Sequence, residues 1–82
     1  MATTQNMIRE WFIRGKKMHA THLIVVCDTF EWEDYPVFVT KKQNVHEVYT
    51  EHNGSNMQKV MEVYNLSMDM EKQLAEHRAF HF

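Results

Sequence analysis

The stretch Thr21-His-Leu-Ile-Val-Val-Cys-Asp-Thr-Phe-Glu-Trp-Glu-Asp-Tyr-Pro-Val-Phe-Val-Thr40 decides the fold of this 82-residue chain. An apolar run meets an acidic, aromatic segment and then a second apolar run, which predicts a β-hairpin. The first strand, 21–30, is apolar on both faces as far as Phe30, so we expect a central strand that is covered on both sides. Pro36 has no backbone N–H to donate, so we expect it to begin the second strand, beside the turn. The hairpin tip is then predicted to carry five side chains: Glu31, Trp32, Glu33, Asp34 and Tyr35.

Helical patterns lie on both sides of the hairpin. Residues 4–18 place apolar side chains three and four positions apart, after a threonine that can cap the helix. A second helix is predicted from an Asn44 cap to Gly54, because glycine takes the left-handed conformation of a helix end at little cost. Ser67 is predicted to cap a third helix that ends near Arg78.

Residues 57–66 fit both a helical stripe and a strand rich in β-branched and aromatic side chains. A two-stranded hairpin is marginally stable by itself, and a third strand would complete a sheet, so we predict a strand here. The elements then follow the order α-β-β-α-β-α. We therefore expect a single α+β domain over 1–82, with helices packed on a small, mainly antiparallel three-stranded sheet.

Composition narrows the class of protein. Cys27 is the one cysteine, which excludes an intramolecular disulfide and favours a reducing compartment. The first residues lack the pattern of a signal peptide, and the longest apolar run, 23–27, is too short to span a bilayer. We expect a cytoplasmic protein without membrane contact. A net charge of −2 also makes direct nucleic-acid binding an unfavoured reading.

Charges of opposite sign are separated along the chain. Four basic residues lie on the first helix, whereas residues 28–34 contain four acids and no base. Such patches would support head-to-tail self-association, although solvated faces are the simpler explanation. A second class of function also uses the basic helix. A homo-oligomer would bind or sequester a nucleotide through Arg9, Arg14 or Lys17.

Few residues of the sequence are candidates for catalysis or metal binding. His77 and His81 are four positions apart, which on an intact helix would point both rings toward one metal ion of a small hydrolase. No third ligand follows from the spacing, so surface histidines are the favoured interpretation. Cys27 has no base beside it, and a lone cysteine in an apolar strand is usually part of the core. We therefore expect a protein that is not an enzyme and needs no cofactor or metal.

The hairpin tip is the strongest candidate for contact with a partner. Trp32 and Tyr35 are of the type that anchors interfaces, because they bury a large area while few torsions are frozen. The three tip carboxylates would face a basic protein surface. The alternative is that the aromatic rings fold back onto the core and the acids only keep the turn soluble. The sequence favours neither of these two interpretations.

Three segments carry a resemblance to known proteins. Residues 20–39, 56–66 and 73–81 resemble small, uncharacterised proteins of phages and mobile elements. Proteins of this size and origin include anti-CRISPR and other anti-defence inhibitors, which act by occluding a host protein or by sequestering a signal molecule. The resemblance implies a non-catalytic inhibitor that binds a host protein, with no residue set attached to that role.

Overall fold

Three helices and three strands follow one another in the order that the sequence predicts, α-β-β-α-β-α. The computed structural model describes residues 3–54, 57–76 and 78–82. The elements are α1 (Gln5–Lys17), β1 (His22–Asp28), β2 (Glu33–Val39), α2 (Val45–His52), β3 (Gln58–Asn65) and α3 (Met70–Leu74). The strands form one antiparallel sheet in the order β2-β1-β3. The α+β prediction is confirmed, including the third strand at 57–66.

β1 is the central strand and its two faces lead into two apolar cores. Leu23 and Val25 pack beneath α1 and α3, in a core that also contains Phe12 and Tyr64. Ile24 and Val26 pack beneath α2. This second core also contains four buried valines from α2, β2 and β3: Val39, Val48, Val60 and Val63. Successive side chains of a strand point to opposite faces, which is why one apolar run supplies both cores.

α1 approaches the sheet closely at Gly15. A Cβ at this position would lie 2.8 Å from Leu66 Cδ1 and 3.1 Å from the Phe38 ring. A side chain at this position would have to displace Leu66 and Phe38, so glycine permits the present distance between helix and sheet.

Thr4 caps the start of the helix by accepting a hydrogen bond from the Met7 amide, as expected for a threonine N-cap.

The hairpin differs from the prediction at both strand ends. β1 ends at Asp28, so Phe30 lies in the turn with 70% of its surface exposed instead of facing a core. β2 begins at Glu33, and Pro36 lies in its middle, paired with Val25. β2 is an edge strand, where a residue without an N–H is tolerated because one side of the strand has no neighbour.

The third helix is shorter than predicted at both ends. Asp69, not Ser67, is the N-cap, and it accepts a hydrogen bond from the Lys72 amide. The helix ends at Leu74, before the predicted end near Arg78. The following chain turns to the outer edge of β3, where Val63 donates to the Ala79 carbonyl at 2.8 Å and accepts from the His81 amide at 3.0 Å. These sheet hydrogen bonds replace the last helical turns.

Buried Gln73 joins α3 to the end of β3. Its side-chain oxygen accepts from the Asn65 amide at 2.8 Å, and its nitrogen donates to the Asn65 carbonyl at 3.0 Å. The short helix is thereby tied to the sheet by a paired amide contact.

In the part of the chain that the structure describes, no helix is both long enough and apolar enough to cross a membrane.

Candidate functional site

The turn between β1 and β2 presents two large aromatic side chains to solvent. Phe30 is 70% exposed and Trp32 is 69% exposed, whereas the second tryptophan, Trp11, is buried in the core. Met57, at the neighbouring start of β3, is also mostly exposed. We name Phe30, Glu31, Trp32, Glu33 and Met57 the loop surface. Exposed apolar side chains grouped in this way, with charges around them, are typical of protein-binding surfaces.

Hydrogen bonds restrain the backbone conformation of the turn. The Asp28 carboxylate accepts from the Phe30 amide at 2.9 Å, and its backbone carbonyl accepts from the Trp32 amide at 2.6 Å. Thr29 donates twice to the Met57 carbonyl, from its amide and from its hydroxyl, each at 2.8 Å. These bonds connect the turn to the end of β1 and to the residue before β3, so the backbone of the turn is held on both sides.

Trp32 adopts a left-handed backbone conformation, with φ of 58°. This conformation is uncommon for a residue with a bulky side chain and carries a cost in free energy. The hydrogen bond from its amide to Asp28 offsets part of that cost. The strain accompanies a side chain that points to solvent, so packing of the Trp32 ring against the core does not explain it.

Only part of the predicted tip is in the turn. Glu31 and Trp32 lie there, but Glu33, Asp34 and Tyr35 belong to β2, where they oppose Asp28, Cys27 and Val26. Tyr35 is half-buried and packs against the core beneath α2, and burial raises the pKa of its phenol. The alternative in which the aromatic rings fold back thus describes Tyr35, whereas Trp32 stays exposed.

Phe30 is the residue of this surface that the sequence interpretation assigned to the wrong environment. Apolar continuity from Leu23 favoured extending the strand to this residue. The contrary signal was Asp28, since aspartate at a strand end often accepts hydrogen bonds from the next amides and starts a turn. The observed bonds from the Phe30 and Glu31 amides to the Asp28 carboxylate are of this kind.

Cys27 does not have the surroundings of a reactive thiol. It is buried, and burial raises the pKa of its thiol, with a further contribution from the Asp34 carboxylate. A raised pKa keeps the thiol protonated near neutral pH, and the thiolate is the nucleophilic form. This geometry matches the expected core role of the residue.

Of the two candidate metal-binding histidines, His81 lies beyond α3, which ends at Leu74. His77 lies outside the described residues, and the His81 ring contacts the Glu76 carboxylate. Within residues 3–54, 57–76 and 78–82, no group of three or more histidine, cysteine or acidic side chains is arranged to hold a metal ion.

The three basic residues of the predicted nucleotide site are not brought together. Arg9 forms a two-pronged ion pair with Glu71, with N–O distances of 2.9 and 2.8 Å, which connects α1 to α3. Arg14 and Lys17 line a shallow depression on another side of α1, next to Glu10. Arg9 is therefore part of a structural contact and does not converge with the other two.

Comparisons with known proteins find no relative of this chain: no protein-family model, no curated protein and no solved structure matches it.

Proposed function

We propose that this protein is a non-catalytic interaction protein that binds a basic surface of a partner protein through the loop surface. The observation that carries the proposal is the exposure of Phe30 and Trp32 on a turn held by hydrogen bonds. Folding alone gives no reason to hold two large aromatic side chains in water. An interface in which both become buried supplies that reason.

The apolar contribution would come from the aromatic rings and Met57. Burying one such side chain on binding is worth about 1.5–3 kcal/mol, before the cost of association is subtracted. Glu31 and Glu33 are exposed beside the rings. Exposed carboxylates at the rim of an interface mainly increase the association rate and select a basic partner.

The partner that we propose is a host protein of an antiviral defence system, and the mechanism is steric occlusion in the cytoplasm. Support for this choice comes from the resemblance of residues 20–39, 56–66 and 73–81 to small phage proteins, together with the acidic rim. Defence proteins that hold nucleic acid expose basic surfaces, which an acidic loop would complement.

The experiment compares the wild type with a Phe30→Ala/Trp32→Ala variant in capture from host extract. The partner is identified by mass spectrometry, and its affinity is then measured with the purified protein. We expect binding at least about tenfold weaker, because the lost side chains occupy the centre of the proposed interface. The melting temperature should not fall, since both rings are largely exposed.

The matched control is Ile13→Ala/Met18→Ala, which removes two exposed apolar side chains on and beside α1. This variant should bind the partner as the wild type does. Equal binding by wild type and the loop variant would overturn the proposal. Equal weakening by both double variants would show a general loss of apolar surface instead of a specific site.

A second pair of variants tests the acidic rim. Glu31→Lys/Glu33→Lys should slow association and remove its salt dependence, whereas Glu10→Lys/Glu51→Lys makes the same change of charge elsewhere. Asp34 is left unchanged because it neighbours buried Cys27. Identical association rates for the two charge-reversed variants would contradict a basic partner.

A further inference from the structure

A cleft of about 540 Å³ lies at the end of the sheet opposite the loop surface. Its walls come from the end of α1, the turn into β1, the turn after β2 and the segment that follows β3. The lining includes Lys16, His19, Lys41, Asn65 and Ser67. We name this site the basic cleft. Its volume is within the range of about 300–1,000 Å³ that small-molecule sites occupy.

The lining of the basic cleft is basic without a compensating acid. The lining includes two lysines and two histidines, His19 and His22, and no carboxylate. Lys16 and Lys41 form no ion pair with any residue that the structure describes; the Lys16 ammonium lies 5.7 Å from the centre of the Phe12 ring. Two lysines in one lining without a carboxylate leave a positive charge that a bound anion would compensate.

Lys41 is not explained by the helix next to it. It lies in the turn just before the Asn44 cap of α2, at the end of the helix where the dipole is positive. A cation at this end is disfavoured, whereas Lys16, in the last turn of α1, complements the dipole of its own helix. The helix dipole therefore gives Lys41 no stabilising role, and an anion in the cleft would give it a partner.

Asn65 adds a neutral hydrogen-bond donor. The Ser67 amide and hydroxyl donate to Asn65 Oδ1, at 2.9 and 2.6 Å, so the oxygen of that amide is already used. The side-chain hydrogen bonds of Asn65 within the described parts of the chain are both at Oδ1, so Nδ2 is available as a donor. An amide donor and two lysines in one lining are groups that phosphate oxygens accept.

We propose that the basic cleft binds the phosphate groups of a small ligand of nucleotide size. Lys16 and Lys41 pair with phosphate oxygens, and Asn65 donates a hydrogen bond. Ala20 and Leu66, which also line the cleft, supply apolar surface for the rest of the ligand. This site is distinct from the predicted set of Arg9, Arg14 and Lys17, and it does not depend on the protein partner proposed above.

The test is calorimetric titration at low salt with ATP, pyrophosphate and adenosine as probes. We expect ATP and pyrophosphate to bind and adenosine not to bind, because the phosphates provide the recognised charge. Tighter binding of ATP than of pyrophosphate identifies a nucleotide as the ligand, and equal binding identifies the polyphosphate group alone. Binding of adenosine as tight as that of ATP, or no binding of either phosphate probe, overturns the proposal.

Variants locate the site. Lys16→Gln/Lys41→Gln should bind ATP about tenfold more weakly, because two charge-assisted contacts are lost. The control, Lys17→Gln/Lys42→Gln, removes the same charge from the adjacent residues, which do not line the cleft. All four lysines are exposed, so both variants should retain the wild-type melting temperature. Equal weakening by the two variants would mean diffuse attraction and would overturn the assignment to the cleft.

Discussion

At the scale of single residues, His22 shows how one hydrogen bond determines which ring nitrogen of a histidine carries the proton. The Thr21 hydroxyl donates to the Val39 carbonyl at 3.2 Å, so the ring must donate to that hydroxyl through Nδ1, at 2.9 Å. In the neutral ring, Nε2 is then a buried acceptor, and it has no partner among the described residues. Burial lowers the pKa of His22, and His46 lowers it further.

The lowered pKa of His22 predicts that stability decreases toward acidic pH. Between the folded pKa and the unfolded value of about 6.5, the unfolded state binds more protons, so the free energy of unfolding rises with pH. The stabilisation is complete above the unfolded pKa and is lost as pH falls through the folded pKa. Thermal melts between about pH 5 and pH 8 measure the slope.

His22→Gln should reduce that slope, because the group that titrates differently in the two states is removed. His19→Gln is the control, since His19 is exposed in the turn after α1. Parallel stability curves for wild type and His22→Gln would show that the slope originates at another histidine.

At the scale of elements, the contact of α1 with the sheet depends on Gly15, which lies in the last turn of the helix. Glycine inside a helix costs about 1 kcal/mol relative to alanine. The chain accepts this cost at Gly15 because Leu66 and Phe38 occupy the space of a Cβ. Helix propensity and tertiary packing favour different residues at this position, and packing has the larger effect.

Gly15→Ala should therefore destabilise the protein despite its higher helix propensity. Overpacking costs about 1–3 kcal/mol, and the higher helix propensity of alanine offsets about 1 kcal/mol of that cost. We therefore expect a net loss of up to about 2 kcal/mol. Urea unfolding measures it. Leu66→Val removes the closest atom, so Gly15→Ala should cost less in that background. A stabilised Gly15→Ala protein, or equal costs in both backgrounds, would contradict the argument.

At the scale of the whole molecule, the loop surface and the basic cleft lie at opposite ends of β1. The seven residues of this strand separate them by roughly 20 Å, from a rise of about 3.3 Å per residue. Glu31 and Glu33 lie at one end, where Lys59 is also present opposite Cys27, and Lys16 and Lys41 line the cleft at the other end. Head-to-tail self-association would bring these two ends together, and it stays a prediction.

Because of this distance, we expect the two surfaces to bind independently. Phe30→Ala/Trp32→Ala should bind ATP as the wild type does, and Lys16→Gln/Lys41→Gln should retain its affinity for the protein partner. Calorimetry on each variant with each ligand measures both. Should the loop of one copy occupy the cleft of the next, ATP would instead lower the molecular mass in light scattering, and the two sites would compete.

The sequence by itself determined the features that depend on neighbouring residues. The apolar run along 21–28, the helical spacing in 4–18 and the Asn44 cap each act within a few positions, so the element order and the central strand were predictable. Only the tertiary structure decided where β1 ends, where α3 ends and which lysines meet at one cleft. The bonds from Thr29 to Met57 and from Val63 to the chain at 79–81 join distant segments, and they outweigh local propensity. Sequence pattern does not encode which segments meet in space, and the environments of Phe30 and Lys41 depend on that.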